Sequence, residues 1–318
     1  MGVNAIESVG VYVPRHRITA ETIGEAWDGF RARGVGEKRV AGADEDAVTM
    51  AVAACRDAIA ASGTDRDAFG TLAVGTTTPP IDEGDVGVTV AEILGLDAGV
   101  DVAVFTQSTR AGTRAVRAAL SAGEPALAVA ADCPRGTPDS AVDHAAGAGA
   151  VAVATGDDGA TVGERATYAQ EYPGTRFRRR GSEDVESYDA TAYERDAYTT
   201  VIGGAVAELS EPATALAPTA PDGSLPGRLR GVVDGGTVYH LADELGDTGA
   251  ASPLFGLLAA WAAGEDRVTV VGYGAGASAD ALVVEGSLSV EWRRPATDIT
   301  YAEYLRKRGH VLPNGGDN

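Results

Sequence analysis

The stretches GAGAVAVATG at 147–156 and VTVVGYGAGASADALVVEG at 268–286 decide the fold. Each contains the turn Gly-Ala-Gly-Ala, at 147–150 and at 274–277, next to an apolar run typical of a buried strand. The two turns lie roughly 130 residues apart, which indicates two related halves and not the short period of a solenoid. We therefore expect an α/β fold built from two pseudo-repeated halves.

Outward from these turns, strands alternate with helices along most of the chain. Strands are predicted at 5–14, 71–78, 101–107, 126–132 and 214–219, and helices at 19–27, 44–62, 86–95, 108–123 and 252–264. The predicted domains are a first half at 1–158 and a second half at 159–312, with a disordered tail at 313–318. The stretch 172–196 is rich in charge and has no clear period, so it is interpreted as an inserted loop.

The charge balance is strongly acidic. The 318 residues include 46 acidic and 26 basic side chains, for a formal charge of −20, and the only lysines are Lys38 and Lys307. Such a surface repels nucleic acid and anionic lipid, so neither is an expected partner. The composition resembles that of proteins from salt-loving archaea, where the Debye length falls to about 3 Å in molar salt. An ordinary acidic cytosolic protein is the alternative interpretation.

Several classes of protein are disfavoured by what the sequence lacks. It has no apolar run of about 18 residues, so no membrane span is predicted. Its N-terminus has no basic segment followed by an apolar one, so no secretion signal is predicted. Cys55 and Cys133 are too few for a disulfide framework or a zinc site, and no metal or resident cofactor is expected. A cytoplasmic location is the default expectation.

Five stretches, in the same order along the chain, carry a resemblance to a known family. They are VGVYVPRHRI at 9–18, GEKRVAGADEDAVTMAVAA at 36–54, ADCPRGTPDSAVDHAAGAGAVAVATG at 131–156, the 268–286 stretch, and ITYAEYLRKRG at 299–309. Together they resemble the archaeal type of hydroxymethylglutaryl-CoA synthase, in the thiolase superfamily. The region 157–250 matches weakly and looks shortened. The resemblance implies a thiolase-like five-layered αβαβα fold, an acyl-CoA substrate or ligand, and a place in the mevalonate route.

The resemblance also implies a catalytic set that this chain has replaced. The family's cysteine, in the pattern Cys-x-Ala-Gly-Thr, corresponds to Thr109, with Ser108 one residue before it. The family's glutamate corresponds to Thr77, at the end of a strand, and its histidine to Thr219, before a turn. A Gly-Asn-Thr turn of the family reads Gly-Asp-Thr here, which places Asp247 where an asparagine is expected.

Threonine hydroxyls are poor replacements for that set. A threonine has no accessible anion near neutral pH and needs an adjacent base to act as a nucleophile. Ser108 and Thr109 also stand where residues that cap a helix are usual. We therefore expect a non-catalytic, thiolase-fold subunit, and the alternative is a divergent acyl-CoA condensing or acyl-transfer enzyme that uses Thr109 or Ser108.

Two groups of arginines require an explanation. Arg176, Arg178, Arg179 and Arg180 form the main basic cluster, which could meet the phosphates of CoA or pair with Glu183 and Asp184 at an interface. Arg110, Arg114 and Arg117 share one helical face, and in a central layer they would need buried partners or a subunit interface.

Partner proteins are implied only by the resemblance. It implies a homodimer, or a heterodimer with an active paralogue. It also points to docking with a thiolase or with an OB-fold/zinc-ribbon protein.

Overall fold

The computed structural model of the chain describes residues 5–187, 191–233 and 235–311. The predicted disordered tail at 313–318 lies outside the described residues. Within them, no helix combines the length and apolar character that a membrane crossing needs.

The strands and helices follow one another along both halves. The strands are β1 (Ala5–Tyr12), β2 (His16–Thr19), β3 (Glu37–Val40), β4 (Thr71–Gly75), β5 (Asp101–Phe105), β6 (Ala126–Asp132), β7 (Gly149–Gly156), β8 (Ala160–Tyr172), β9 (Ala215–Pro218), β10 (Thr237–Val238), β11 (Arg267–Gly274), β12 (Gly276–Glu285) and β13 (Thr297–Asp298). The helices are α1 (Ala20–Trp27), α2 (Ala47–Ser62), α3 (Val86–Leu94), α4 (Ala111–Ala119), α5 (Ala141–Ala145), α6 (Thr191–Ala207), α7 (Ala242–Leu245), α8 (Ser252–Ala262) and α9 (Tyr301–Lys307).

The large sheet has ten strands in the order β10-β9-β11-β12-β8-β1-β7-β6-β4-β5. Its two sets of five strands have the same internal order. In the first, β1 and β6 are antiparallel to β7, and β4 is parallel to β6 and β5. In the second, β8 and β11 are antiparallel to β12, and β9 is parallel to β11 and β10. The β7 and β12 strands, next to the two Gly-Ala-Gly-Ala turns, therefore occupy equivalent places.

Helices cover both faces of each set of strands, which produces five layers. Helices α2 and α3 pack on the outer face of the first set, and α6 packs on the outer face of the second. Helices α4 and α8 lie between the two sets in one shared core. Alternation along β12 shows how a strand serves two layers, since Leu282 and Val284 face α4 and α8 whereas Val283 faces α6.

Glycines allow the central helix α4 to lie very close to its neighbours. A Cβ on Gly112 would come within 2.1 Å of the Ala250 carbonyl oxygen, and one on Gly272 within 2.1 Å of the Thr113 hydroxyl oxygen. Neither position can therefore take a larger side chain without displacing the helix. This tight contact fixes where the N-terminus of α4 emerges between the two halves.

The interpretation of 172–196 as an inserted loop is only partly correct. Strand β8 continues to Tyr172, and α6 already begins at Thr191. Between them the chain forms a short hairpin, in which Phe177 and Glu186 exchange two backbone hydrogen bonds of 2.8 Å each. We call residues 177–186 the 177–186 hairpin.

Candidate functional site

Thr109 lies two residues before Ala111, the first residue of α4, and is buried. Its hydroxyl donates a hydrogen bond of 2.6 Å to the backbone carbonyl of Tyr273, at the end of β11. Ser108 accepts a hydrogen bond of 3.3 Å from the backbone N–H of Arg110. The N-cap residue of α4 is Arg110, whose side chain makes no capping hydrogen bond, so neither Ser108 nor Thr109 is the expected helix cap. The Thr109 hydroxyl is therefore bonded to a peptide oxygen, which cannot serve as a general base.

Thr219 follows β9 and contacts the same backbone unit. Its hydroxyl accepts a hydrogen bond of 2.9 Å from the N–H of Tyr273. The carbonyl of Thr219 accepts a hydrogen bond of 2.6 Å from the hydroxyl of Tyr198, on α6. Thr109 and Thr219 are thus connected through the peptide groups of one tyrosine.

Thr77 is bonded to a different residue, the fully buried Asp132 at the end of β6. Its hydroxyl donates to Asp132 over 2.8 Å, and its backbone N–H donates over 2.6 Å. Thr76 and Thr78 contribute three more hydrogen bonds to the same carboxylate, and the N–H of Ala250 contributes one of 2.7 Å. We call this arrangement the Asp132 cage.

The cage saturates the carboxylate. Burial raises the pKa of Asp132, and the hydrogen bonds from Ala250 and Thr77 oppose that rise. Two carboxylate oxygens offer about four lone-pair sites, and the cage already directs six donors at them. Asp132 is therefore placed to hold the ends of β4 and β6 together, with its lone pairs already occupied by the donors of the cage.

Two hollows meet at Thr109. The first, which we call the tyrosine cavity, has a volume of about 180 Å³ and is bordered by Thr109, Thr219, Tyr198, Tyr273 and Asp247, among others. Burial raises the pKa of Tyr273 to about 12, so this phenol is neutral at physiological pH. The structure therefore brings Thr109 and Thr219, two of the three predicted catalytic positions, and Asp247 into one cavity.

The second hollow, which we call the arginine cleft, is larger, at about 740 Å³. It is bordered by Thr77, Ser108 and Thr109 on one side and by Arg176, Arg178, Arg179 and Arg180 on the other. Arg178 donates a hydrogen bond of 2.6 Å to the carbonyl of Thr77 and so connects the 177–186 hairpin to the first half. The basic cluster and all the predicted catalytic positions except Thr219 therefore border the same cleft.

One interpretation of the sequence paired the arginines of the cluster with Glu183 and Asp184 at an interface. Within the described chain, these two acidic residues contact other partners. Arg179 pairs with Glu186 over 3.1 Å. Glu183 instead pairs with Arg135, and Asp184 accepts a hydrogen bond of 3.0 Å from Thr137. These contacts attach the hairpin to the loop after β6 and leave Arg178 and Arg180 facing the cleft.

Arg176 differs from the rest of the cluster because it points inward. Its Nη1 lies 2.5 Å from a carboxylate oxygen of Asp247, and the two side chains are 19% and 3% exposed. Burial acts to lower the pKa of Arg176, but the charge and hydrogen bond of Asp247 outweigh it and the pKa is raised. Arg176 therefore stays charged.

Curated relatives match this chain along nearly its whole length. A hydroxymethylglutaryl-CoA synthase of Methanosarcina acetivorans is 29% identical over 344 residues, which cover 96% of this chain and 98% of the relative. One of Archaeoglobus fulgidus is 29% identical over 343 residues, with the same coverage. The chain is a homologue of the archaeal hydroxymethylglutaryl-CoA synthases. No family model matches it.

Solved structures confirm that this synthase homologue has the thiolase-like fold. An MvaS protein in complex with 3-hydroxy-3-methylglutaryl coenzyme A superposes with a TM-score of 0.83 and 18% identity, covering 98% of this chain and 93% of that one. The 3-oxoacyl-[acyl-carrier-protein] synthase III of Aquifex aeolicus superposes with a TM-score of 0.77 and 17% identity, covering 89% of this chain and all of that one.

The second group of arginines in the synthase homologue has a buried partner. Arg110 and Arg117 lie 3.4 Å and 2.7 Å from the carboxylate of Asp280, which is fully buried on β12, and Arg114 lies 3.9 Å from it. The expected need for a buried partner in the central layer is met by this aspartate. Arg114 borders neither the tyrosine cavity nor the arginine cleft.

Sequence reasoning missed three residues that organise the site of the homologue. Asp132, Tyr198 and Tyr273 were not among the predicted site residues, although each bonds directly to a predicted threonine. The signal for Asp132 was present, because it is a single carboxylate at the end of the apolar run ALAVAAD. Within the described residues, no three His, Cys, Asp or Glu side chains are grouped to hold a metal ion.

Proposed function

We propose that the chain is a hydroxymethylglutaryl-CoA synthase-like subunit that is non-catalytic and that scaffolds a condensing-enzyme complex or holds a CoA ligand within it. One observation carries this proposal. The hydroxyl of Thr109, at the position of the family's nucleophile, donates its only proton to the Tyr273 carbonyl over 2.6 Å. A nucleophilic hydroxyl needs a base at that distance, and a peptide oxygen is not one.

The other two replaced positions support the same proposal. The Thr77 hydroxyl donates to the saturated Asp132 cage, and Thr219 accepts from a backbone N–H. Neither threonine hydroxyl ionises near neutral pH, whereas the carboxyl group of the family's glutamate and the imidazole of its histidine do. Three hydroxyls that serve as structural hydrogen-bond partners are consistent with a site that has lost its chemistry and kept its shape.

The arginine cleft supports the retention of a CoA ligand. Arg178 and Arg180 face a hollow of about 740 Å³ that reaches Thr109. A chain of charge −20 repels phosphate and pyrophosphate groups, so these anions need a local cluster of guanidinium groups in order to bind. Asp82 and Glu83 also border the cleft, so a bound anion is expected to lie nearest the arginines of the hairpin.

An assembly with other subunits is part of the proposal. Strand β5 is the last strand of the large sheet, and Val88 and Ile93 on the adjacent α3 are about half exposed, at 53% and 47%. An exposed sheet edge beside apolar side chains favours association. We propose a homodimer or a heterodimer with an active paralogue, in the mevalonate route of a salt-rich cytoplasm, with a thiolase or an OB-fold/zinc-ribbon protein as further partners.

The first test is an acylation assay at high salt, read by mass spectrometry. The purified chain is incubated with acetyl-CoA and acetoacetyl-CoA, and both covalent mass gain and CoA release are measured. We expect folded protein with no adduct and no released CoA, and a retained non-covalent CoA complex under native conditions. A Thr109→Cys variant is the matched positive arm, because a thiol at the start of α4 is a far better nucleophile than a hydroxyl.

A divergent acyltransferase is the second candidate, favoured by the two hollows that both reach Thr109. It predicts a stoichiometric acyl adduct on Thr109 or Ser108 in the native sequence. The adduct would disappear in Thr109→Val or Ser108→Ala, respectively. Such an adduct would overturn the non-catalytic proposal and identify the nucleophile.

A further inference from the structure

The side chain of Arg176 passes from one hollow of the site into the other. The arginines that follow it, Arg178 to Arg180, border only the arginine cleft, whereas its ion-pair partner Asp247 borders only the tyrosine cavity. Arg176 itself borders both, as do Thr109 and Ala275. The guanidinium therefore crosses the boundary at the point where the cleft reaches the helix start that carries Thr109.

Both the guanidinium group and the backbone of Arg176 are held in place. Asp247 accepts a hydrogen bond of 2.9 Å from the N–H of Gly249 with one oxygen and binds Arg176 with the other. At the backbone end, the adjoining 177–186 hairpin is attached through Arg178 to Thr77 and through the pair of Arg135 with Glu183. The arginine is thus a fixed wall and not a mobile surface side chain.

Arg176 and Asp247 are best understood together. An asparagine at 247, as the resemblance implies, would leave a buried arginine without a charged partner, so the aspartate and the arginine depend on each other. Their pair lies beside Thr109 at the boundary of the two hollows, since Thr109, Arg176 and Asp247 all border the tyrosine cavity. One guanidinium nitrogen, Nη2, is buried and has no hydrogen-bond partner among the described residues, which is a cost that a purely stabilising pair would avoid.

We propose that Arg176, held by Asp247, is a plug that separates the arginine cleft from the tyrosine cavity. It covers the cavity side of the buried Thr109 and excludes an acyl chain from the cavity behind it. The ligand class follows from this and rests on the proposed function: the site takes CoA, or a thioester with a very short acyl group, and rejects longer acyl groups. Arg176 is then a specificity-determining residue of a site that binds the carrier and not the chain.

Cysteine accessibility tests the plug without requiring any CoA ligand. The reporter is a Thr109→Cys/Cys133→Ser chain, in which the native Cys55 is fully buried, and the measurement is the iodoacetamide alkylation rate at high salt. Adding Arg176→Ala should raise the rate by about tenfold or more. Loss of the nearby guanidinium charge raises the pKa of the new thiol and would slow alkylation, so an acceleration reports access and not reactivity.

Two control variants separate the plug from the hairpin. Arg179→Ala removes an arginine of the same hairpin that borders only the cleft, and it should leave the rate unchanged. Arg135→Ala loosens the attachment of the hairpin through Glu183 but keeps the plug. An unchanged rate in Arg176→Ala, or an equal acceleration in Arg135→Ala, would overturn the proposal.

A calorimetric series with CoA, acetyl-CoA and hexanoyl-CoA then tests the ligand class. The native chain should bind hexanoyl-CoA about tenfold more weakly than CoA, and Arg176→Ala should remove most of that difference. If no CoA compound binds but the alkylation rate rises, the plug stands and the proposed CoA binding fails. If the native chain binds hexanoyl-CoA as tightly as CoA, the exclusion of acyl chains is wrong while CoA binding stands.

Discussion

Replacing Lys38 with methionine should change how the stability of the chain depends on pH. Lys38 lies on β3 with no exposed surface, and its ammonium donates to the hydroxyl of Tyr304 over 3.0 Å and to the carbonyl of Asp143. Burial lowers the pKa of Lys38 to about 7, and the charge of Asp143 opposes that shift only in part. Because the folded chain releases this proton more readily than the unfolded chain does, the free energy of unfolding depends on pH in the alkaline range.

The direction of the effect follows from proton binding. Between pH 7 and the unfolded-state value of 10.5, the unfolded chain carries a proton on Lys38 that the folded chain has largely released. Stability therefore rises with pH across this window. The full shift corresponds to at most about 5 kcal/mol, at about 1.4 kcal/mol for each pKa unit. The part expected between pH 7 and pH 9 is about 2 kcal/mol.

The measurement is the free energy of unfolding in urea, at constant high salt, for the native chain and for Lys38→Met. The difference between the two curves isolates Lys38 from the other titrating groups. Lys307→Met is the matched control, because Lys307 is the only other lysine and lies on the partly exposed α9. A native chain and a Lys38→Met variant with parallel pH profiles from pH 7 to 9 would refute the reasoning.

Three further predictions concern other parts of the chain. Asp132→Asn should lower the free energy of unfolding by about 2–4 kcal/mol, because an amide NH₂ would face a donor of the cage. Asp67→Asn, at an exposed position, should change it little in the same urea titration. Alkylation of the native chain at mildly alkaline pH, mapped by mass spectrometry, should modify the half-buried Cys133 before Cys55, because burial raises the pKa of Cys55 to about 12. Early modification of Cys55 would contradict its place in the core. The unfolding temperature should rise from low to molar KCl, because salt screens the repulsion within a chain of charge −20, and a flat response in a scanning-calorimetry series would count against a salt-adapted surface.

Strong local signals in the sequence predicted much of the fold. The strand predicted at 126–132 matches β6, and the helix predicted at 86–95 matches α3, with Gly95 in the left-handed conformation at its end. In these segments the local pattern and the final packing agree, because the strand is buried on both faces and the helix has an ordinary glycine stop.

The second half was harder to predict because tertiary contacts determine its local structure. Helix α6 contains Gly203 and Gly204, which weaken its helical pattern, and a Cβ on Gly204 would come within 2.7 Å of the ring of Tyr168. Strand β8 carries charged residues on its exposed side, so the sequence resembled a loop at its far end. In both elements the residue types are explained by contacts with a neighbouring element and not by the local sequence pattern.

The hydrogen-bond partners of the predicted site residues could not be predicted from the sequence. Thr109, Thr77 and Thr219 were found by resemblance, and the first two border the arginine cleft while Thr109 and Thr219 border the tyrosine cavity. Which atom each hydroxyl contacts depends on strands far apart in the chain, such as the 164 residues that separate Thr109 from Tyr273. The division of the chain at 158/159 and the partner proteins stay predictions.

The pairing of β1 with β8 limits the motions open to this protein. Ala5 pairs with Thr161 and Ile6 with Ala160, so β1 of the first half and β8 of the second are paired as neighbouring antiparallel strands. Opening the halves like the lobes of a clamshell would break these pairs and separate α4 and α8 from their shared core. Exchange of the proposed CoA ligand is therefore expected to proceed by local motion of the 177–186 hairpin, on the timescale of a loop, while the two sets of strands keep their positions relative to each other.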